Sequence, residues 1–206
     1  MTNPAKNLVL SEIKIEAEKV KQVVDLWHSL NEKSANANRC LYVSENDVLE
    51  ISILNKELSL DKCFHDSPLY EVGEKFRSSL LSDWKRQALT LIDIVKPQSH
   101  QLPATPFLQL RHIEVPLRVY NDYIQWRKET IFESVKANEN VDSFLAYHSV
   151  FSAEPGVTFL SGFSCNSEDY LKGFNTPAYQ KIVKDAGNKY ICGGEKSLYT
   201  KIYHKA

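Results

Sequence analysis

Two periodicities alternate along this chain. Residues 8–15 switch between apolar and polar, the two-residue repeat of a half-buried strand, and Val20, Val23, Val24, Trp27 and Leu30 then recur at helical spacing. Residues 40–43 and 48–54 predict a hairpin that turns at Ser44-Glu45-Asn46-Asp47, where short polar side chains tolerate turn geometry. Ser67-Pro68 predicts a helix start, with a hydroxyl at the N-cap and proline at the first helical position, and that helix is expected to run to about Leu81. Residues 88–95 close the unit as a strand, giving the order β-α-β-β-α-β.

The same order recurs further on. Residues 107–115 predict a strand, and Pro116 opens a helix with Tyr120, Ile124, Ile131 and Val135 on one face. Residues 144–151 and 157–163 pair across Ala153-Glu154-Pro155-Gly156. Helices over 167–174 and 176–186 follow, with Gly187 as a C-terminal cap, and 196–204 is the last strand. Between the halves, Pro97, Pro103 and Pro106 punctuate a polar stretch that neither a helix nor a central strand can use, so the chain divides into 1–96, a proline-rich linker over 97–106, and 107–206.

Sliding the sequence by 100 lays Leu10, Ile13 and Ile15 over Leu110, Ile113 and Val115, and Val20, Val23, Val24 and Leu26 over Tyr120, Tyr123, Ile124 and Trp126. Sliding it by 109 lays Ser67-Pro68-Leu69-Tyr70 over Thr176-Pro177-Ala178-Tyr179. The expected fold class is α+β: two tandem ferredoxin-like repeats. A four-stranded sheet with helices on one face leaves the other bare, and two such units in one chain cover each other as an intramolecular barrel. That barrel needs no partner for closure, and a homodimer would form through the outer helices.

Ser67-Pro68-Leu69-Tyr70 and Thr176-Pro177-Ala178-Tyr179, each opening the second helix of its unit, resemble segments of the dimeric α+β barrel superfamily. That group includes the antibiotic-biosynthesis monooxygenases, the haem-degrading monooxygenases and the EthD-like and NIPSNAP-like proteins. The resemblance spans nearly the whole chain as two copies and implies a small aromatic or polyketide-like substrate, haem, or no chemistry. The complete Asn, Trp, His set of the haem-degrading members is not found in one unit, so the expectation is no cofactor, with haem the alternative.

The chain has 206 residues, 43% of them hydrophobic, with 25 basic against 26 acidic side chains. That excludes disorder and lacks the basic excess of nucleic-acid binders. No apolar run approaches the roughly 18 residues of a membrane span. The first residues read as no signal peptide, and Cys40, Cys63, Cys165 and Cys192 lack metal or disulfide spacing, so a cytoplasmic protein with reduced thiols is expected.

Candidate chemistry starts in residues 108–115. Period two puts Leu108, Leu110, His112 and Glu114 on one face and Ile113 and Val115 on the other. His112 and Glu114 could be a base with its orienting carboxylate, or a strand end satisfied by its neighbours; a metal site lacks a third ligand. His148, between Tyr147 and Ser149, is a ligand-binding candidate or a structural histidine. His65, just ahead of Ser67-Pro68, lies where the resemblance implies a ligand-contacting histidine, or is a loop residue. Aromatics are concentrated in the second half, and Tyr123, Trp126, Phe159 and Phe163 either line an apolar pocket or are core. Neither a phosphate loop nor a nucleophile elbow occurs. Two functions follow as expectations: an oxygenase of the antibiotic-biosynthesis-monooxygenase type acting on an aromatic or polyketide-like substrate, or a non-catalytic barrel that holds a small ligand.

Overall fold

A computed structural model describes residues 3–33, 38–54, 67–152, 156–191 and 198–206. The first half contains β1 (Asn7–Lys14), α1 (Val20–Lys33), β2 (Arg39–Val43), β3 (Asp47–Ile53), α2 (Pro68–Lys75) and β4 (Lys85–Lys96). The second contains β5 (Phe107–Ile113), α3 (Tyr120–Glu129), α4 (Ile131–Ala137), β6 (Ser143–Ser152), β7 (Val157–Phe163), α5 (Ser167–Lys172), α6 (Pro177–Lys189) and β8 (Leu198–Lys205).

The eight strands close into one antiparallel barrel in the order β1-β3-β2-β8-β5-β7-β6-β4. Read from β4, the circuit is β4-β1-β3-β2 followed by β8-β5-β7-β6, so each half contributes four strands in the same internal order. Position-by-position exposure agrees: residues 21–30 and 121–130 show the same sequence of buried, intermediate and exposed positions. The two seams differ. β4 pairs with β6 from Gln87↔Ser152 to Lys96↔Phe144 through three register irregularities, whereas β2 meets β8 only at Tyr42↔Lys205 and Val43↔His204.

An eight-stranded barrel is just wide enough to be filled by side chains. Here one buried cluster draws on every strand: Leu8 and Leu10, Tyr42, Leu49 and Ile51, Leu89, Leu108 and Leu110, Leu145 and Tyr147, Leu160, and Tyr203. Each such aliphatic side chain contributes roughly 1.5–3 kcal/mol by leaving water. The proline-rich segment does more than join the halves. Leu102 enters the same cluster with Ala5, the Ala5 N–H donates to the Gln101 carbonyl (3.0 Å), and the Tyr42 hydroxyl donates to the Thr105 carbonyl (2.9 Å). The segment thus crosses one end of the barrel. Near the other, Lys201 reaches Glu12 at 2.5 Å and Asp47 at 3.2 Å, and Tyr203 donates to Glu12.

Helices cover the outer faces. Val23 and Trp27 of α1 and Leu69 and Val72 of α2 pack on Ile13, Leu41, Val43 and Val48. Tyr123, Phe132 and Val135 pack on Phe144, Ala146, Val157, Phe159 and Phe163.

Element limits depart from expectation where tertiary contacts intervene. α2 stops at Lys75 instead of about Leu81, because Leu80 bridges to Ile15 and the Leu81 N–H donates to the Lys14 carbonyl (2.8 Å), which pulls the chain out of the helix. The helix expected from Pro116 is a short 3-10 turn followed by two helices. Thr130, at φ −124° and ψ −75°, breaks them, and its hydroxyl donates to the Trp126 carbonyl (2.7 Å). At the β6–β7 hairpin Gly156 has φ +147°, and a Cβ there would stand 2.2 Å from the Ile113 carbonyl oxygen, so only glycine fits. No helix among the described residues is long and apolar enough to cross a membrane.

Candidate functional site

A cavity of about 440 Å³ lies between the outer face of the second-half sheet and helices α3 to α6. The pleat of β5 turns Gln109, Arg111 and Ile113 outward into it, while Leu108 and Leu110 point into the barrel. Phe144 and Phe159 form the aromatic part of its sheet side, and Tyr123 and Tyr179 reach it from α3 and α6. Ala186, small and buried on α6, leaves the space open.

The matching place in the first half carries different side chains. Strand pairing shows the correspondence: Arg39 faces Ser52 as Phe144 faces Ser161, and Leu10 faces Ile51 as Leu110 faces Leu160. Glu50 therefore stands where the second half has Phe159, and Arg39 where it has Phe144. Glu50, 1% exposed, accepts from the Trp27 indole N–H (2.6 Å), the Ser67 hydroxyl (2.7 Å), the Ser52 hydroxyl (3.3 Å) and the Leu69 N–H (3.4 Å), with the Arg39 guanidinium at 3.9 Å. One unit thus packs a buried charged network where the other packs phenyl rings around a cavity.

Electrostatics follow from that exchange. Burial pushes the Tyr123, Tyr170 and Tyr179 hydroxyls up from their ordinary range, and the Arg111 charge draws each part of the way back. All three stay neutral donors at pH 7. The Tyr170 hydroxyl is hydrogen-bonded to Ser161 Oγ (2.9 Å) and Gln109 Oε1 (3.1 Å), which fixes the Gln109 amide at the cavity edge. Behind the aromatic wall Arg127 is fully buried and pairs with Asp93 of β4. Its guanidinium lies 5.0 Å from the Phe132 ring centre, 5.6 Å from Tyr123 and 5.8 Å from Phe159.

Of the residues singled out in the sequence, Tyr123 and Phe159 line the cavity. Trp126 packs beside Tyr123 and Tyr190, and Phe163 is stacked between Phe107 and Tyr170. His148 sits on β6 with its ring edge-on to Tyr120, and burial, then the Arg127 charge, hold its pKa below the usual value. His112 lies inside the barrel, stacked on Tyr199 (5.2 Å between ring centres) with Nδ1 3.3 Å from the Thr158 hydroxyl. Glu114 falls in the turn after β5, near Gly156. His65 lies outside the described residues. Sequence reasoning passed over Arg111, Gln109, Arg127 and Glu50. A signal for Arg127 existed, since a shift of 100 sets it over Trp27, a charge at a buried helical position.

Because His112 faces away from the cavity, His112→Ala is expected to lower stability by about 2 kcal/mol through lost core packing. It should leave affinity for any cavity ligand within twofold. Urea unfolding beside a ligand titration checks both; a large loss of affinity with unchanged stability would contradict this placement.

No protein-family model and no curated protein sequence matches the chain. Solved structures do. An anthrone oxidase-like protein superposes with a TM-score of 0.68 at 8% identity, covering 98% of this chain and 91% of its own. A monooxygenase-like protein from Listeria innocua gives 0.56 at 11% identity, covering 98% and 95%. A haem-degrading enzyme from Listeria monocytogenes gives 0.56 at 8% identity, covering 98% and 100%. The chain has the dimeric α+β barrel fold. In this α+β barrel both halves come from one polypeptide, so closure needs no second chain.

Haem fits the cavity poorly. Among its described lining residues none is His, Cys or Met, and the Tyr123 and Tyr179 hydroxyls are held protonated, which disfavours a tyrosinate ligand. Among the described residues no cluster of His, Cys, Asp and Glu could hold a metal ion.

Proposed function

We propose that this α+β barrel is an oxygenase of the antibiotic-biosynthesis-monooxygenase type, working without haem on an aromatic or polyketide-like substrate in the second-half cavity. The observation that carries the reading is the cavity itself: phenyl and phenol walls that accept a flat ring system, with one guanidinium from β5 among them. The likeness to an anthrone oxidase-like protein supports the same class.

A substrate with an acidic CH₂ between aromatic rings carries its own reducing electrons. Loss of one proton gives a delocalised anion, which passes electrons to O₂. The CH₂ becomes C=O, one oxygen atom enters the product, and the other leaves as water with the two hydrogens. The chain's residues would lower the cost of the anion. Arg111 supplies fixed positive charge, the neutral Tyr123 hydroxyl can donate to the developing oxyanion, and Phe144 and Phe159 exclude water.

Oxygen uptake with 1,8-dihydroxyanthrone as probe tests this. The expected result is enzyme-dependent consumption of one O₂ per quinone formed, lost in Ala186→Phe, which fills the cavity. Binding of the anthrone with no uptake above its spontaneous oxidation would instead assign the non-catalytic, ligand-holding role.

A further inference from the structure

Arg111 differs from the three arginines that stand beside a carboxylate. Arg39 stands beside Glu50, Arg77 beside Glu74 and Arg127 beside Asp93, but among the described residues Arg111 has no carboxylate within ion-pairing distance. It is half-buried and lines the cavity, and its charge acts on the Tyr123, Tyr170 and Tyr179 hydroxyls. Lys184 of α6 is the second charged residue of the described lining, and none of that lining is acidic. The remaining polar groups, Gln109, Asn175, Gln180 and Thr200, are neutral. This positive lining is local, because the chain as a whole has a formal net charge of −1.

Divergence of the halves points the same way. Under the shift of 100 that aligns β1 with β5, the position of Arg111 is Ser11 in the first half, while the first half keeps the acid Glu50 where the second has Phe159. The half with the cavity thus has a cation where the other has a serine, and a phenyl ring where the other holds a carboxylate.

We infer that the cavity selects an aromatic carboxylate, with Arg111 pairing to the carboxylate and the ring system lying against Phe144 and Phe159. A planar guanidinium matches a carboxylate through two parallel N–H donors, and its strength rises where water is excluded. The Tyr123 and Tyr179 hydroxyls, held neutral, can donate to the same group without repelling it. A carboxylate is also ionised throughout the neutral range, so recognition would not depend on the acidity of the reacting carbon. This inference rests on the cavity being the working site of the proposed oxygenase.

The test compares anthracene-2-carboxylate with its neutral amide, anthracene-2-carboxamide, by fluorescence titration of the full chain. The acid is expected to bind at least tenfold more tightly, with an advantage that shrinks as salt is raised. Arg111→Gln should bring the two within twofold of each other, Arg111→Lys should retain part of the preference, and Lys184→Gln should reduce it less than Arg111→Gln. Melting curves of each variant confirm the fold, and Arg111→Lys keeps the test valid if Arg111→Gln unfolds. Equal binding of acid and amide by the unaltered protein would overturn the inference and leave the oxygenase reading standing. A preference that survives in Arg111→Gln would overturn it too. If neither anthracene binds, the cavity reading falls along with it.

Discussion

Asp93→Ala is expected to lower stability by about 3 kcal/mol, the lower end of the cost of removing one partner from a buried ion pair. Its partner Arg127 has a fully buried side chain, whereas Asp93 keeps 20% of its own exposure, so water relieves part of the loss. Lys128 also approaches Asp93, at 3.8 Å, but it is exposed and adds little. The change would strand the Arg127 guanidinium against the rings of Tyr123, Phe132 and Phe159 with no counter-ion. For a chain of this size the melting temperature should fall by about 6–12 °C. Asp93 belongs to β4 and Arg127 to α3, so the pair fastens one half to the other beside the long β4–β6 seam. Adding Arg127→Met to Asp93→Ala should restore most of the stability, because no charge is then left buried. A double variant as unstable as the single one would show that the loss has another cause.

Glu50→Ala is the second large effect, at about 3–5 kcal/mol. It would leave the Trp27 indole N–H, the Ser67 hydroxyl and the Arg39 guanidinium without their shared acceptor in a place water does not reach. Glu50→Gln keeps one oxygen but turns an amide NH₂ toward donors, and should cost roughly half as much. The second half suggests the repair. Replacing Arg39 and Glu50 together by phenylalanine installs the pair found at Phe144 and Phe159, and should recover the share of the loss that comes from stranding the Arg39 charge, while the Trp27 and Ser67 donors stay without their acceptor. Urea unfolding midpoints rank the four proteins. A Glu50→Ala variant within 1 kcal/mol of the parent, on the scale of a single exposed contact, would mean that the network is not a stabilising element.

Much of the architecture was legible because it rests on local chemistry. A strand that is wet or packed differently on its two faces shows period two, and α1 shows its packed stripe as Val20, Val23, Val24 and Trp27. Both Ser67-Pro68 and Thr176-Pro177 start helices, with Pro68 and Pro177 in the first turns, but only the Thr176 hydroxyl caps, accepting from the Tyr179 N–H; the Ser67 hydroxyl donates to Glu50 instead. Where the reading ran long or short, the deciding groups were distant in sequence. Ile15 holds Leu80, which ends α2 early, and nothing in residues 75–81 announces it.

The site was less legible for a physical reason that β5 makes plain. Both faces of this strand are buried, one inside the barrel and one under helices, so its alternation separates Leu108, Leu110 and His112 from Gln109, Arg111 and Ile113 without saying which set meets a cavity. His112 is conspicuous as a histidine in an apolar strand, yet the barrel interior into which it points is packed with side chains from all eight strands. The sequence by itself determined the two βαββαβ units, their likeness to each other and the aromatic weight of the second. Closure of the two sheets on each other follows from the same pattern, whereas tertiary structure alone sets Glu50 in a buried network in the first unit and Arg111 on the cavity of the second. Those outcomes depend on which side chains from separate elements meet and whether their volumes fill the gap, and a one-dimensional pattern carries periodicity but not volume.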